Sequence, residues 1–347
     1  MRLLLLIFLI VIITSCKQKV ENKEEAKQQS EQTTDDSKPA LEISEINKAI
    51  RANPEDAENY YLRAILYGQQ QRYKEAVDDL EIAMRRDSTR PEFYILESDN
   101  LISLKRPEEA LSSLERGIDL FPNDTTTLLK ISEFYYYLKN YQKSHQYLSK
   151  LQNIDRYNEK SYFIRGLIFL ETADTIKAIR NFQSAAEVNP DYFDAYMMLG
   201  IVYSLSDDDL AIGYFKNAID INSKHVEVRI QLGLYYQKHG MYPEAIAQYK
   251  FISDELDAEF EVPYFNTGYI YLEFIKDYER AIPYFQLAYQ KDPTYADAYY
   301  NEGLCYEYLN NIKKARELYK KSLEVVPNYI FGVRGLNRLD NLERGKK

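Results

Sequence analysis

The chain contains no tryptophan, only two cysteines, Cys16 and Cys305, and only three histidines in 347 residues. So few thiols rule out a disulfide framework. His145, His225 and His239 stand far apart, without the spacing that metal ligands require. There is no phosphate-cradling glycine loop, no Gly-x-Ser-x-Gly turn and no Cys/His pairing. The run Asp207-Asp208-Asp209 lacks the alternating ligands and the glycine of a calcium loop, and reads instead as capping and solvation between helices. We therefore expect no enzymatic activity, no cofactor and no metal. Basic charge is also short: 44 Lys and Arg face 54 Asp and Glu, a net charge of −10. That balance argues against duplex nucleic acid as a partner and against electrostatic docking on an anionic membrane.

The chain is rich in tyrosine, with 33 copies, and the tyrosines recur. Tyr60, Tyr94, Leu128, Tyr162 and Tyr196 are spaced 34 residues apart. With Ala57 as position 1, blocks start near 57, 91, 125, 159, 193, 226, 261 and 296. Position 8 is small throughout: Ala64, Ser98, Ser132, Gly166, Gly200, Gly233, Gly268 and Gly303. Position 11 is aromatic except at Leu101, an alanine recurs in the second half of most blocks, and Pro122, Pro190, Pro293 and Pro327 close four of them. Apolar residues three and four apart give each half-block one sticky helical face. A small residue lets two helices approach closely, and proline stops the second helix. One pair cannot bury its own apolar face, so successive pairs must stack.

This pattern closely resembles the tetratricopeptide repeat, a helix–turn–helix unit of 34 residues. The block from Ala296 shows it best, with Gly303, Tyr306, Ala315, Tyr319 and Pro327 in register. The resemblance implies an all-α fold: a right-handed solenoid of about eight repeats over 41–347, led by a half-repeat at 41–56. A capping helix is expected at 330–343, with Val333, Leu336, Leu339 and Leu342 on its packing side. The block at 125 departs from the pattern at Ser144, Leu151 and Arg156. The fifth block is one residue short and the sixth and seventh one residue long, offsets expected to fall in turns.

The first sixteen residues stand apart. Arg2 precedes an apolar run from Leu3 to Ile13, too short to span a bilayer, which needs about 20 residues, but suited to a secretory signal at 1–15. Ile13-Thr14-Ser15-Cys16 resembles the lipobox of bacterial lipoproteins, which implies lipidation of Cys16. Its removal to lipid would leave Cys305 as a buried structural thiol. Residues 16–40 are polar and read as a disordered tether with a reach of roughly 25–30 Å. In proteobacterial lipoproteins an aspartate after the cysteine marks inner-membrane retention. Lys17 stands there, so the resemblance favours the outer membrane of a bacterial envelope.

Repeats of this family bind partners on a concave face lined by the first helices, at positions 2, 5, 9, 12 and 13. The candidate groove here comprises Tyr61, Ile65, Ile95, Tyr136, Phe163, Leu167, Met197, Ile201, Ile230, Leu234, Phe265, Tyr269, Tyr300 and Leu304. It is edged by Asp99, Glu133, Glu171, Glu273 and Glu307. The Lys and Asn set with which some members clamp a terminal carboxylate is missing. An apolar groove with an acidic edge fits a protein or peptide segment carrying apolar anchors and basic residues. The expected role is a membrane-anchored adaptor; the alternative is a carrier of a lipid or glycan in the groove.

Overall fold

The computed structural model describes residues 37–344, with side chains from residue 43. The signal segment, Cys16 and residues 17–36 of the expected tether lie outside the described residues. The first helix begins at Ser37, so residues 37–40 are helical rather than tether. Among the described residues there are eighteen α-helices and no strand. The chain divides into two compact units, up to Asp155 and from Arg156 on.

In the first unit, α1 (Ser37–Ala52) precedes three pairs. These are α2 (Ala57–Gln69) with α3 (Tyr73–Arg86), α4 (Pro91–Ser103) with α5 (Pro107–Leu120), and α6 (Thr125–Tyr137) with α7 (Tyr141–Ile154). The second unit holds five pairs. They are α8 (Glu159–Glu171) with α9 (Thr175–Val188), α10 (Phe193–Leu205) with α11 (Leu210–Ile221), α12 (Val226–Lys238) with α13 (Tyr242–Phe251), α14 (Glu261–Tyr269) with α15 (Tyr278–Lys291), and α16 (Ala296–Tyr308) with α17 (Ile312–Val325). The last helix, α18 (Ile330–Arg344), closes the second unit. Within each unit every helix packs on the next, as a tetratricopeptide-type solenoid requires.

Local chemistry sets the boundaries. Asp56, Asp124, Asn158 and Asp174 cap their helices by accepting from backbone N–H groups of the first turn. Pro91 and Pro107 occupy first-turn positions, where a missing N–H costs nothing. The turn inside seven of the eight pairs repeats one device. The residue at position 15 is left-handed: Gln71, Lys105, Lys139, Ala173, Asp207, Gly240 and Asn310 all have φ between 56° and 73°. The next N–H then reaches back to the position-11 carbonyl, as in Arg72 N to Tyr67 O at 2.8 Å and Asn311 N to Tyr306 O at 2.8 Å. This is a Schellman closure, and only Gly240 makes it without a Cβ in the left-handed region. Ala173 has neither glycine's freedom nor a polar side chain to offset the strain.

The core of each pair is a contact between position 8 and a large residue one helix later. In the first unit Ala64 and Leu80 share one buried cluster, and the equivalent register positions hold Ser98 and Leu114, then Ser132 and Leu148, all buried. In the second unit the contacts are Gly166 with Phe182, Gly200 with Phe215, Gly233 with Tyr249, Gly268 with Phe285, and Gly303 with Tyr319. A Cβ on Gly166, Gly200 or Gly233 would lie 2.5–2.6 Å from its ring. Volume is thus conserved: where the second helix supplies a ring, the first gives up its side chain. Beside each contact sits a fully buried alanine, and in the third repeat Ser144 takes that place by donating to Ser132 O at 2.8 Å. The departure read at Ser144 is therefore absorbed by one hydrogen bond.

Two expectations are corrected. The extra residues of the sixth and seventh blocks do not fall in turns. They are absorbed inside helices, as π-helical segments at Ile252–Leu256 and Ile270–Ile275. The shortened fifth block departs as well: its turn, 206–209, is one residue longer than in most other pairs, and the loss falls on α11, two residues shorter than the second helix of most other pairs. On α18 the packing face is Gly332, Gly335, Leu336 and Leu339, against Tyr319 and Ser322; Val333 and Leu342 are exposed. Glycines at this face let the terminal helix approach the Tyr319 ring, whose Cδ2 is 2.7 Å from a Cβ built on Gly335.

Two stability measurements check this account. Gly166→Ala should lose about 1–2 kcal/mol, overpacking outweighing the better helix propensity, and adding Phe182→Leu should bring stability back to within about 1 kcal/mol of the parent. Losses in urea unfolding that simply add would refute the pairing. Ala173→Gly should gain about 0.5–1 kcal/mol by releasing the left-handed strain, read as a higher urea midpoint.

Candidate functional site

The first helix of each pair carries the residues expected to line a partner surface. At position 5 the rings are committed to packing. Phe163 lies between Phe182 and Tyr192, at 5.5 and 5.4 Å between ring centroids. Phe265 sits likewise between Phe285 and Tyr295, at 5.7 and 4.9 Å, and Tyr300 meets Tyr319 at 5.4 Å. In the first unit Tyr61 packs 5.0 Å from Phe93, and Ile95 packs on the cluster around Leu114 and Leu128. Position 5 thus wedges between its own second helix and the start of the next pair.

Four further candidates are corrected. Met197, Ile201, Ile230 and Leu304 are buried within the chain and serve the core. Ile65, Tyr136, Leu167 and Tyr269 are half-buried, and Tyr136 leans on Tyr137 and Tyr141. Leu234, 41% exposed, is the candidate that faces solvent.

Exposed apolar surface concentrates further along the same helices, toward the turn. Leu205 and Tyr308 stand at position 13, with Tyr308 52% exposed. Phe274, 42% exposed, and Ile275 lie in the second π segment. Phe274 stacks on Tyr242 at 5.1 Å and meets Tyr269 edge-on at 6.0 Å. Tyr278 stacks on Tyr308 at 4.7 Å. The sequence reading missed Phe274 and Ile275 because it assigned the extra residue to a turn. The one-residue excess of that block was the signal.

The acidic edge is mostly spent inside the chain. Asp99 accepts from Lys130 at 2.9 Å, and Glu273 lies 3.6 Å from Lys276. Glu307 accepts from the Tyr319 hydroxyl and pairs with Arg338 at 3.0 Å. Glu133 and Glu171 are also engaged. The Asp207–Asp209 run behaves as expected of a capped turn: Asp208 accepts from Leu210 N at 2.9 Å, Asp209 from the Tyr235 hydroxyl at 2.9 Å, and Asp207 pairs with Lys238.

Cys305 is fully buried, and burial pushes its thiol well above the ordinary range. Such a thiol is inert packing rather than a nucleophile. Among the described residues no group of three His, Cys, Asp or Glu side chains could hold a metal. A cavity of about 530 Å³ opens in the first unit beside Tyr94, Met84 and Glu97. Its arginines are matched internally: Arg116 with Glu97 at 2.6 Å, Arg106 with Glu109 at 2.6 Å, Arg85 with Glu81 at 3.7 Å.

Comparison with known proteins agrees with this architecture. Tetratricopeptide-repeat family models match residues 57–89, 165–226, 263–295 and 296–329. The chain is a tetratricopeptide-repeat protein. Human tetratricopeptide repeat protein 13 is 24% identical over 166 residues, covering 46% of this chain but only 19% of that protein's length. Among solved structures, a tetratricopeptide repeat protein from Parabacteroides merdae is 17% identical over 72% of this chain and 98% of its own, with a TM-score of 0.48. YrrB, described as a TPR protein with an unusual peptide-binding site, is 20% identical over 65% of this chain and 97% of its own, at 0.40. MamA is 27% identical over 44% of this chain and 90% of its own, also at 0.40. Tetratricopeptide repeats act as protein-interaction scaffolds, are generally non-enzymatic and bind protein or peptide partners.

Glu302, buried on α16, accepts from Gln286 Nε2 at 2.7 Å, and burial raises its carboxyl above the ordinary range. A carboxyl whose pKa is raised on folding binds protons more tightly when folded. Its contribution to stability is best below its unfolded value and falls as pH climbs through the folded one. Glu302→Gln removes that titration. The variant should therefore gain on the parent in urea midpoint between about pH 5 and about pH 8, whereas a constant difference would contradict the assignment.

Proposed function

We propose that this chain is a non-enzymatic adaptor lipoprotein of a bacterial cell envelope, which scaffolds a protein complex by holding a polypeptide segment against the first helices of its repeats. The observation that carries this reading is the exposed apolar and aromatic surface on those helices in the second unit: Leu234 and, at the turn-facing ends, Leu205, Phe274, Ile275 and Tyr308. Exposed apolar surface clustered on one row of a repeat protein is what a partner covers. Attachment rests on the Ile13-Thr14-Ser15-Cys16 sequence, which resembles a lipobox, and Lys17 favours the outer membrane. No helix among the described residues is long and apolar enough to cross a membrane. Carriage of a lipid or glycan would call for a pocket with converging unmatched polar groups. The cavity beside Glu97 has its arginines matched, which favours the adaptor.

A photo-crosslinking residue at Leu234 or Tyr308 should capture a defined polypeptide in cells. The same residue at Ile176, exposed on α9, should not. Equal capture from all three, or none, would move the interface elsewhere. Cys16→Ala should lose palmitate label and leave the membrane fraction; retained label would remove the anchor from the proposal.

A further inference from the structure

A contact that recurs along the repeats is missing from the second block. It joins position 11 to the residue three beyond the buried alanine of the second helix, or beyond Ser144 in the third repeat. In three pairs both residues are tyrosines, stacked ring on ring: Tyr135 on Tyr147 at 5.7 Å, Tyr203 on Tyr214 at 5.2 Å and Tyr271 on Tyr284 at 5.6 Å. In three others the position-11 ring takes a cation, as Tyr67 takes Arg72 at 4.2 Å. The pair α4 and α5 holds Leu101 and Ser113 at these places, and so has neither ring. The cavity of about 530 Å³ opens there, beside Leu101 and between α3 and α5. That volume falls within the range of small-molecule sites, about 300–1,000 Å³.

The floor is apolar: Val77, Tyr94 and Leu101 are buried, with Met84 half-buried beside them. One fixed charge stands in it. Glu97 is 3% exposed, and its Oε2 accepts from Ser113 Oγ and from Arg116 at 2.6 Å, while its Oε1 makes no hydrogen bond among the described residues. Ser113 stands where three pairs keep a tyrosine, so the departure that removes the ring also supplies the hydroxyl that holds the carboxylate. Arg116 reaches Glu97 from the rim with its side chain 55% exposed, free to swing toward water. Three arginines and three glutamates line the cavity, so its charges balance. A ligand carrying both signs keeps that balance, because its two charges can exchange partners with Glu97 and Arg116 and leave no buried charge unpaired. Such a ligand does not need the unmatched polar groups that a glycan would.

We propose that this cavity binds a free α-amino acid with an aromatic side chain. Its ammonium meets Glu97 Oε1, its carboxylate draws Arg116 away from the glutamate, and its ring takes the place that the repeat elsewhere gives to tyrosine, against Val77, Tyr94 and Leu101. The site belongs to the first unit and is independent of the adaptor reading, which uses the second.

The test uses the full-length protein in detergent and three probes: L-phenylalanine, phenethylamine, which lacks the carboxylate, and 3-phenylpropionate, which lacks the ammonium. L-phenylalanine should bind in titration calorimetry, and each of the other two at least about tenfold more weakly. Leu101→Tyr restores the ring that the other blocks carry. It should weaken phenylalanine binding at least about tenfold while keeping the parent's helical circular dichroism. No binding by the parent, equal affinity for the three probes, or phenylalanine binding that survives Leu101→Tyr overturns the proposal. Should Leu101→Tyr fail to fold, nuclear Overhauser contacts from the phenylalanine ring to the Leu101 and Val77 methyl groups of the parent decide instead, and their absence overturns it equally.

Discussion

Everything in the fold depends on how closely the two helices of a pair can approach. A glycine inside a helix costs about 0.5–1 kcal/mol, and the second unit accepts that cost five times, at Gly166, Gly200, Gly233, Gly268 and Gly303. The return is a ring seated directly on backbone, where a fully buried aromatic contributes about 1.5–3 kcal/mol. The first unit solves the same space with alanine or serine against leucine. The two solutions cannot be mixed freely: an alanine meets a ring at clashing distance, while a glycine against leucine leaves a void. The abundance of tyrosine follows in part from this arrangement. Tyr249 and Tyr319 occupy ring positions from which the hydroxyl reaches Gln237 or Glu307, so a phenol fits where phenylalanine serves elsewhere.

Much of this architecture was legible in the sequence because helix pairs repeat their demands. Small residues at position 8, aromatics at position 11 and terminal prolines all answer constraints that recur in every block. What was not legible were the partners of those residues. The residue facing position 8 varies between leucine, phenylalanine and tyrosine, so it shows no single identity to the eye, although its volume tracks its partner's. The C-terminal capping helix was legible but its face only in part: Leu336 and Leu339 pack as expected, whereas Gly332 and Gly335, not Val333 and Leu342, make the close approach to the preceding helix. The candidate site was read least well. Position 5 and much of position 9 are apolar for reasons internal to the stack, and sequence alone does not separate a ring wedged between helices from one offered to a partner.

Charge behaves in a similar way. The acids edging the candidate groove suggested a partner with basic residues, yet most of them are consumed locally, by Lys130, Lys276 and Arg338. Exposed pairs of this sort contribute little stability, about 0–1 kcal/mol each. Their larger effect is on recognition: a paired carboxylate holds a partner's cation less strongly than a free one. Such pairing leaves the exposed aromatic and aliphatic side chains of the second unit as the feature on which the proposed adaptor role rests.

The second π segment explains where two of those side chains, Phe274 and Ile275, lie. A repeat array tolerates an added residue most cheaply in a turn, where backbone groups can find water. Here the seventh block takes the added residue into the end of the helix and widens the closure that follows it. The closing bond stretches to Asp277 N donating to Tyr271 O at 2.9 Å, and Lys276 takes the left-handed position. The widened turn sets Phe274 against Tyr242 of the neighbouring pair and Ile275 beside it in solvent. Such bulges are uncommon and concentrate at functional sites. A turn insertion would have lengthened the loop without moving an aromatic side chain onto this edge. The position of the added residue, more than its presence, therefore decides which side chains stand on the turn-facing edge of α14.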